Sequence, residues 1–383
     1  MRPGETLKQL LAGERKAVDV AAIEAELAAL WRSAARSARR GAGGGDGEAP
    51  AEAVTRACLW NLVAHALDGA AADALQEELA RLSVEVPARV VLVRTDAAAP
   101  EDHIAAWIQA NCHLAEGGRG HVCTEEIVVA ARGRTMSELP SLVRALLAPD
   151  VPSALLWLAP PSLAGRHLAD WLTVADRFVF DSAGFGAGPE WGGLQAALGA
   201  APRPARPGDL NWRRLQPWRV LTSRLYDCAE VREALLDATT LALAGPGAQR
   251  AAALYAGWYG ARLGLPVGRA GLERARGPRL AVELPVDGPA AEGPPAAASS
   301  GVGAAEAGEL ERVEFRGGSG TVQLRREGQE LVGQLVAGGA DTVPLRARAG
   351  PRERVALLAL ELEDYAGDPR LAEALPGAAA LVE

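Results

Sequence analysis

The sequence predicts an α/β fold with a mixed sheet flanked by helices, followed by a C-terminal α+β part with an antiparallel meander. Three observations predict this class. Between residues 54 and 181, apolar segments of strand length alternate with segments whose apolar residues recur at helical spacing. A Gly-rich turn joins two predicted strands, 104–114 and 121–132, into a hairpin, which makes the sheet mixed. Between residues 312 and 346, short segments alternate apolar and polar residues, as the strands of a half-buried meander do.

The length of 383 residues allows two domains. Residues 1–50 are expected to form an N-terminal helix and a Gly-rich linker, and residues 51–200 an α/β domain. A Pro-rich boundary follows, and residues 207–383 are expected to form a C-terminal α+β domain. Within that domain, the Pro-, Ala- and Gly-rich residues 285–308 predict a disordered loop, because they offer little apolar surface to bury.

The first predicted helix spans residues 19–40. Asp19 can cap its first turn, and arginines in the last turn suit the helix dipole. Apolar residues form one stripe along this helix, at Val20, Ile23, Leu27, Leu30, Trp31 and Ala34. The stripe predicts that the helix packs on a protein surface, either that of its own domain or that of a partner.

The remaining elements follow from the same two periodicities. In the α/β part, strands are predicted at 54–66, 88–94, 104–114, 121–132, 153–159 and 177–181, and helices at 71–82, 138–147 and 163–175. In the C-terminal part, helices are predicted at 209–226, 231–238, 248–263 and 352–365, and strands at 280–284, 312–316, 321–325, 330–336 and 342–346. In the meander, Val313, Phe315, Val322 and Leu324 are predicted to face the core.

Composition excludes several classes of protein. A net charge of −8 argues against a general nucleic-acid binder. The lysines are Lys8 and Lys16, and neither follows a glycine, so the phosphate-binding loop G-x-x-x-x-G-K-[ST] is absent. Residues 1–20 lack the apolar core of a signal peptide, and no apolar run approaches 18 residues. We therefore expect a cytoplasmic protein that does not enter a membrane, with its four cysteines as thiols.

The hairpin brings together the first cluster that could carry chemistry. A two-residue turn at Gly117-Gly118 would place Cys112 opposite Cys123, with His121 on the same face of the sheet and His113 on the other. Three interpretations remain open. The residues could be plain core, the cysteines could be a redox-responsive pair, or the cluster could hold zinc with a fourth ligand from elsewhere.

A second candidate is the glycine-rich segment Gly184–Gly188, which follows a predicted strand and precedes a helix beginning at Glu190. That context suits a phosphate group at a helix N-terminus, but the pattern is G-x-G-x-G, and an ordinary loop is the alternative. No G-x-S-x-G or H-E-x-x-H pattern occurs, and strand alternation points Glu125 and Glu126 to opposite faces. No catalytic constellation is visible, which favours a protein that is not an enzyme.

The third candidate is Asp209–Arg219, where two tryptophans and three arginines lie within eight residues: Trp212, Arg213, Arg214, Trp218 and Arg219. Tryptophan and arginine are the residues most enriched at the hot spots of protein interfaces. In the alternative interpretation, the tryptophans plug this segment onto the sheet and the arginines are solvated.

The same segment, D-L-N-W-R-R-L-x-P-W-R, resembles the signature of the glucose-6-phosphate dehydrogenase assembly protein family, OpcA. Other pieces of the family pattern occur in the same order, at Thr55–Leu62, Val86–Val90, Cys123–Ile127, Leu139–Ser141, Asp150–Trp157, Ala175–Ser182 and Ala256–Gly264. The resemblance covers residues 15–270.

The resemblance implies a non-catalytic factor that supports assembly of NADP-dependent glucose-6-phosphate dehydrogenase, the first enzyme of the oxidative pentose phosphate pathway. It implies no cofactor for this chain. The expected partner is the dehydrogenase, with no nucleic acid and no membrane. The five Trp and Arg residues at 212–219 are expected to contact the dehydrogenase or to support that contact, with Trp as partly buried anchors and Arg as donors to carboxylates. Two alternatives are an enzyme or sensor that binds a phosphorylated small molecule near Gly184–Gly188, and redox control through Cys112 and Cys123.

Overall fold

The computed structural model describes residues 16–17, 19–41, 54–67, 69–114, 121–135, 138–158, 168–185, 190–201, 205–285, 308–337, 340–341 and 343–382. The chain divides into two compact units. Unit 1 comprises Met1–Leu158, Ala164–Phe178 and Leu198–Arg206, and unit 2 comprises Ala159–Leu163, Val179–Ala197 and Pro207–Glu383. In the described residues, no helix is long and apolar enough to cross a bilayer.

Unit 1 is built on a mixed sheet. Its strands are β1 (Lys16–Ala17), β2 (Val54–Arg56), β3 (Trp60–Leu67), β4 (Ala88–Asp96), β5 (His103–Leu114), β6 (His121–Arg132) and β7 (Ser153–Trp157). Its helices are α1 (Val20–Gly41), α2 (Ala70–Glu85), α3 (Leu139–Leu146) and α4 (Leu168–Trp171). The division between the units falls within β8 (Arg177–Phe180), α5 (Glu190–Ala200) and β9 (Arg206–Asp209).

The strand order of this sheet is β1-β5-β6-β4-β3-β7-β8-β9, and β2 pairs with β6. Strands β6, β4, β3 and β7 are parallel neighbours. Strand β5 is antiparallel to both of its neighbours, β6 and β1. Almost every residue of β3, β4 and β7 is buried, which explains why most of their residues are apolar. The predicted mixed sheet flanked by helices is confirmed.

Helix α1 packs on its own unit, against β2, β5 and α3. The predicted stripe lies in this contact, because Ile23, Leu27 and Leu30 are buried. The predicted cap is also present: the Ala21 N–H donates to the Asp19 carboxylate at 2.9 Å. Of the two surfaces that the stripe could have covered, the structure places α1 on that of its own unit.

Unit 2 contains the remaining elements. Its helices are α6 (Leu210–Arg214), α7 (Gln216–Leu225), α8 (Ala229–Asp237), α9 (Gln249–Leu263), α10 (Arg354–Glu363) and α11 (Pro369–Val382). Its strands are β10 (Thr240–Ala244), β11 (Val267–Gly268), β12 (Gly271–Leu272), β13 (Leu280–Glu283), β14 (Arg312–Gly317), β15 (Gly320–Glu327), β16 (Glu330–Ala337), β17 (Ala340–Asp341) and β18 (Leu345–Arg348).

The second sheet has the order β11-β12-β13-β10-β14-β15-β16-β17, with β18 paired to β16. The predicted meander is confirmed: β14, β15 and β16 are antiparallel neighbours, and Val313, Phe315, Val322 and Leu324 are fully buried. Helices α7 and α8 pack against this meander. A Cβ atom on Gly333 would lie 3.1 Å from a methyl group of Leu225, so α7 approaches β16 closely.

Several predicted elements differ from the structure. The strand predicted at 54–66 is two strands, β2 and β3, which pair with different neighbours. In the described part of the helix predicted at 163–175, only Leu168–Trp171 is α-helical. Strands β9 and β10 and helix α11 were not expected: β9 contains Pro and Gly, β10 contains two alanines, and α11 contains Pro376. The predicted linker at 42–50 and residues 286–307 of the predicted loop lie outside the described residues.

Candidate functional site

All five Trp and Arg residues of the third sequence candidate lie in unit 2, in residues Asp209–Arg219, which we call the signature segment. Strand β9 ends at Asp209, α6 follows at once, and α7 begins after Leu215 with Pro217 in its first turn. The predicted cap is present, because the Asp209 carboxylate accepts a hydrogen bond from the Asn211 N–H. A helix leaves its first N–H groups unpaired, so the first turn of α7 accommodates Pro217.

The Asp209 carboxylate is the centre of a buried polar cluster. It accepts hydrogen bonds from the Ser182 N–H at 3.0 Å and from the Ser182 hydroxyl at 2.6 Å. The Asn211 side-chain amide donates to the same hydroxyl at 3.1 Å. Burial raises the pKa of Asp209 to about 7, and the charge of nearby Asp181 adds to the rise. Asp209 is therefore a carboxyl group that titrates near neutral pH in the folded protein.

Arg214 forms a bidentate ion pair with Asp181. The two guanidinium nitrogens donate to the two carboxylate oxygens at 2.7 and 2.8 Å. Burial acts to raise the pKa of Asp181, but the charge and hydrogen bonds of Arg214 outweigh it and hold that pKa below its ordinary value. Asp181 and Asp209 are thus neighbouring carboxyl groups whose pKa values shift in opposite directions. Asp181 is held charged, whereas Asp209 is partly protonated near pH 7.

Trp212 and Arg219 share one acceptor, the carboxylate of Asp368. The Trp212 indole donates to it at 2.9 Å and Arg219 donates to it at 3.1 Å. The Arg219 guanidinium lies over the Trp212 ring, 3.5 Å from its centroid, as in a cation–π pair. Burial lowers the pKa of Arg219 to about 10. This contact ties α6 and α7 to the residue just before α11.

Arg213 binds the end of α10. Its Nε donates to the Glu361 carboxylate at 2.8 Å, and another guanidinium nitrogen lies 3.3 Å from the Asp364 carboxylate. Glu361 is buried, so its charge is balanced within the protein by Arg213. The pair fixes α6 against α10.

Trp218 lines a cavity of about 10 Å³, which has room for about one water molecule. The cavity is bounded by Asn211, Arg214, Leu215, Trp218, Ala251, Glu309, Leu310, Arg326 and Pro351. Among the described atoms, the Asn211 side-chain oxygen has no hydrogen-bond partner, and burial raises the pKa of Glu309, whose carboxylate lies 2.8 Å from Arg352. Metabolite pockets are commonly hundreds of Å³, so this cavity is too small for a substrate.

The described contacts of the five predicted site residues lie within unit 2, and their role in binding a partner stays a prediction. Trp212 and Trp218 are each 2% exposed, and Arg219 is 9% exposed. One interpretation of the sequence expected solvated arginines. The structure differs, because Arg213, Arg214 and Arg219 each pair with an acid of unit 2. The residue that follows the segment on α7, Val220, is 48% exposed.

The acids that complete this site were not found from sequence. Asp181 lies about thirty positions before the arginine it binds, and Glu361, Asp364 and Asp368 lie about a hundred and fifty positions after theirs. Acidic residues are common in the chain, and nothing in their local pattern marks these four. The signal lies in tertiary structure alone.

The hairpin cysteines are bonded to each other. The predicted register is confirmed: Cys112 faces Cys123, and Leu114 faces His121. A disulfide joins the two cysteines, so the expectation of four thiols is wrong for this pair, and Cys58 and Cys228 are free. Within the described residues, no group of three His, Cys, Asp or Glu side chains is placed to hold a metal ion. Directly opposed strand positions bring Cβ atoms close together, which explains how the bond forms.

Glu125 and Glu126 point to opposite faces, as predicted, and each lies in its own buried network. Glu125 accepts hydrogen bonds from Trp31 at 2.9 Å, from Arg56 at 2.8 Å and from Arg89. Burial acts to raise the pKa of Glu125, but the charge of Arg89 and these bonds lower it. This network fastens α1 to the sheet.

Arg89 extends the Glu125 network, and Glu126 forms a separate one. Arg89 also donates to Glu24 of α1 at 2.7 Å and to the Leu146 carbonyl at 2.9 Å. On the other face of the sheet, Glu126 accepts from Gln109 and Asn111, and burial raises its pKa. Glu125 and Glu126 thus lie in separate networks on opposite faces of the sheet, and they do not form an acid/base pair with each other.

The glycine-rich candidate lies partly outside the described residues, which include Gly184 and Phe185 but not residues 186–189. Ser182–Gly184 forms a 3₁₀ turn, and α5 begins at Glu190 as the sequence predicts. The Asp181 carboxylate accepts a bond from the Ala183 N–H at 3.2 Å. Phosphate binding at this segment stays a prediction.

Two family models match the chain. Residues 80–191 match the model described as the N-terminal domain of a glucose-6-phosphate dehydrogenase subunit. Residues 206–375 match the model described as the C-terminal domain of the same subunit. The second match includes the signature segment and the acids at 361, 364 and 368 that bind it.

Curated relatives match a smaller part of the chain. A protein named OxPP cycle protein OpcA from Synechocystis is 27% identical over 179 residues, which is 46% of this chain and 37% of that protein. The protein of the same name from Synechococcus elongatus is 28% identical over 163 residues, 42% of this chain and 36% of its own length. The matched region thus spans just over a third of these relatives.

Solved structures show a distant likeness. A biliverdin reductase from Synechocystis has a TM-score of 0.44 and 12% identity, covering 84% of this chain and 96% of that one. A 3-ketoreductase from Actinomadura kijaniata has a TM-score of 0.43 and 15% identity, covering 84% and 95%.

Proposed function

Because the chain belongs to the glucose-6-phosphate dehydrogenase assembly family, OpcA, we propose that it is a non-catalytic factor that binds NADP-dependent glucose-6-phosphate dehydrogenase and favours its active oligomer. The observation that carries the proposal is the match of both family models, one to the α/β part and one to the C-terminal part. The proposed site of action is the cytoplasm, and the proposed partner is the dehydrogenase.

The construction of the signature segment supports a binding role. Its charged side chains pair with acids of unit 2, and its cavity has room for about one water molecule. Such a cluster offers no reacting groups around an open pocket, but it holds α6, α7 and α10 in a fixed arrangement. We therefore assign Trp212, Arg213, Arg214, Trp218 and Arg219 the role of supporting a contact surface that their neighbours form.

The mechanism we propose is differential binding. A protein partner shifts the equilibrium between two states of an enzyme only by the difference in its affinity for them. A tenfold shift toward the active oligomer needs a preference of about 1.4 kcal/mol. A surface of modest area that fits only one oligomeric form can supply such a preference.

The first experiment mixes the purified chain with the dehydrogenase of its own organism and measures activity and sedimentation. We expect higher activity and a larger sedimenting species in the mixture. If the wild-type chain changes neither, the proposed function is wrong.

Variants then test the surface beside the signature segment. Val220→Arg places a charge on the exposed side of α7, next to Arg219, and should weaken activation while the protein keeps its melting temperature. Leu236→Arg is the matched control, since Leu236 is 54% exposed on α8 of the same unit. If the two folded variants activate the dehydrogenase equally, the surface around Val220 is not the proposed contact surface.

A second proposal, redox control, is favoured by the disulfide between Cys112 and Cys123. A dithiol reductant would transfer two electrons and two protons, giving two cysteine thiols and an oxidised reductant. The bond joins β5 to β6 beside Arg56, which faces Cys123 in the register of β2 and contacts Glu125. Reduction would loosen this edge of the network that holds α1.

Its test compares activation of the dehydrogenase with and without a dithiol. The wild-type chain should change its activating effect, whereas the Cys112→Ser, Cys123→Ser double variant should not. Cys58→Ser with Cys228→Ser is the control, since both residues are free thiols and this variant keeps the disulfide. An activating effect of the wild type that is the same in both conditions excludes the proposal.

A further inference from the structure

The parallel strands of unit 1 follow the order of a dinucleotide-binding sheet. Among the parallel strands β3, β4, β6 and β7, taken in chain order, the spatial order is third, second, first, fourth. The direction of winding reverses between β3 and β7. In doubly wound sheets, ligands bind in the crevice outside the carboxyl ends of the strands at such a reversal point. The topology therefore implies a nucleotide cofactor between the ends of β3 and β7.

Among the described residues, buried aromatic side chains fill the sheet at that point. His65 and Trp157 are direct neighbours across β3 and β7, and their rings stack with centroids 4.1 Å apart and planes 6° apart. Trp171 packs against both rings, with centroids 6.1 and 5.8 Å away. His65 is 3% exposed, and both indoles are essentially fully buried. We call His65, Trp157 and Trp171 the aromatic plug.

The ring nitrogens of the plug belong to it and not to a ligand site. His65 Nε2 lies 3.0 Å from the Thr95 hydroxyl, and burial lowers the pKa of His65 to about 4, so its ring is neutral at neutral pH. Its Nδ1 and the indole nitrogens of Trp157 and Trp171 have no hydrogen-bond partner among the described residues. These nitrogens are buried at the edges of rings whose faces pack against one another.

The turn after β3 departs from the phosphate-binding pattern G-x-G-x-x-G/A. Gly69, with φ at 105°, and the fully buried Ala72 suit the second and third positions, but Leu67 stands at the first. Asp73 lies in the first turn of α2, where its carboxylate forms an ion pair with Arg94 at 2.8 Å. An ion pair thus occupies the first turn of the helix whose N-terminus would otherwise attract the two phosphates of a dinucleotide.

One part of the pattern is kept. Asp96 ends β4, the position from which dinucleotide-binding sheets hold the ribose hydroxyls. Its carboxylate accepts a hydrogen bond from the Ala98 N–H at 3.2 Å. The sugar end of the implied site thus fits, whereas the phosphate end and the crevice between β3 and β7 do not.

We infer that the aromatic plug closes the cofactor crevice of unit 1, and that this sheet does not bind a nicotinamide dinucleotide despite its strand order. Nicotinamide chemistry in any complex would then belong to the partner enzyme alone. The inference concerns the isolated chain and stands whether or not the chain activates a dehydrogenase.

The experiment titrates NADPH and NADH into the purified full chain, with excitation of the indoles and detection of nicotinamide emission. Trp157 and Trp171 lie at the implied site, so a bound cofactor would receive energy from them. A dinucleotide-binding dehydrogenase is the positive control. We expect no saturable emission from this chain at millimolar cofactor, and calorimetry with NADP+ and NAD+ should show no saturable heat.

Saturable emission would overturn the inference if Asp96→Ala abolishes it and Asp227→Ala preserves it. Of these two residues, Asp96 lies at the sugar end of the implied site. Saturable heat with the wild-type chain would overturn it as well. Failure of the activation assay would leave this result unchanged, so the two proposals are tested separately.

Discussion

Arg219 lies over the ring of Trp212 at 3.5 Å, and both side chains donate to the same carboxylate, that of Asp368. Trp212 and Arg219, which the sequence predicts as partner contacts, are therefore bound to each other and to Asp368 within the protein. Their position explains why such residues occur together: the guanidinium covers the ring, and one acid satisfies both donors.

Removing that acid should destabilise the protein. Asp368→Ala leaves the Trp212 indole and the Arg219 guanidinium without their shared acceptor, and we expect a loss of about 1–3 kcal/mol in the free energy of unfolding. Urea unfolding measures the change. Asp227→Ala, at an exposed position after α7, is the control and should change stability by less than about 0.5 kcal/mol. Equal losses in the two variants would contradict the shared-acceptor role.

Asp209 should make stability depend on pH. Its pKa is raised to about 7 in the folded protein from an ordinary value near 4, so the folded state holds an extra proton between these values. The stabilisation that this proton gives is complete below pH 4 and is lost as the pH rises through 7. Asp209→Asn removes the titration and keeps an acceptor oxygen, so its free energy of unfolding should fall less than that of the wild type between pH 5 and 8. Parallel pH profiles for the two proteins would contradict the shift.

The Glu125 network should hold α1 on unit 1. Glu125→Gln removes one of the two carboxylates that pair with the buried Arg89, the other being Glu24, and we expect a loss of about 1–3 kcal/mol. Amide hydrogen exchange should also become faster in α1, because Trp31 donates to the same carboxylate. Glu85→Gln, at an exposed position on α2, is the control. Unchanged exchange in α1 would show that the helix is held by its apolar stripe alone.

The contact between α9 and α11 should reject a side chain at Gly257. A Cβ atom there would lie 2.5 Å from the Ala374 carbonyl and 2.8 Å from the Ala378 nitrogen, so Gly257→Ala should cost about 1–3 kcal/mol. Gly199→Ala, in α5, meets nothing within 4 Å and should instead stabilise by about 0.5–1 kcal/mol. Thermal unfolding distinguishes the two signs, and a neutral Gly257→Ala would show that the helices can separate without cost.

The parts of the fold that the sequence predicts are those with regular periodicity. The α1 stripe, the hairpin register of Cys112 with Cys123, and the alternation of Val313 and Phe315 all follow from spacing along one segment. The elements it misses carry weaker signals: β9 reads Arg-Pro-Gly-Asp, which is typical of a turn, and β10 contains two alanines, a residue depleted in strands. Their conformation comes from pairing with strands distant in sequence.

The candidate site shows the same division. Its Trp and Arg members are visible in sequence because they are dense, but their burial is not, since it depends on Asp181, Glu361 and Asp368. Burial of an arginine requires a partner, and the partner is set by tertiary structure. The same limit applies to the aromatic plug, whose three rings come from separate segments.

The close approach of α9 to α11 has a consequence for biosynthesis. The ribosome makes α9 before the meander strands, and Gly257 meets Ala374 and Ala378 only after that whole stretch has emerged. Until then, α9 lacks the helix that packs against Gly257, and apolar surface left exposed on an incomplete chain promotes association with other chains. The emerging protein is therefore most prone to misassociate late in translation, when most of unit 2 is already synthesised and its closing helix is still missing.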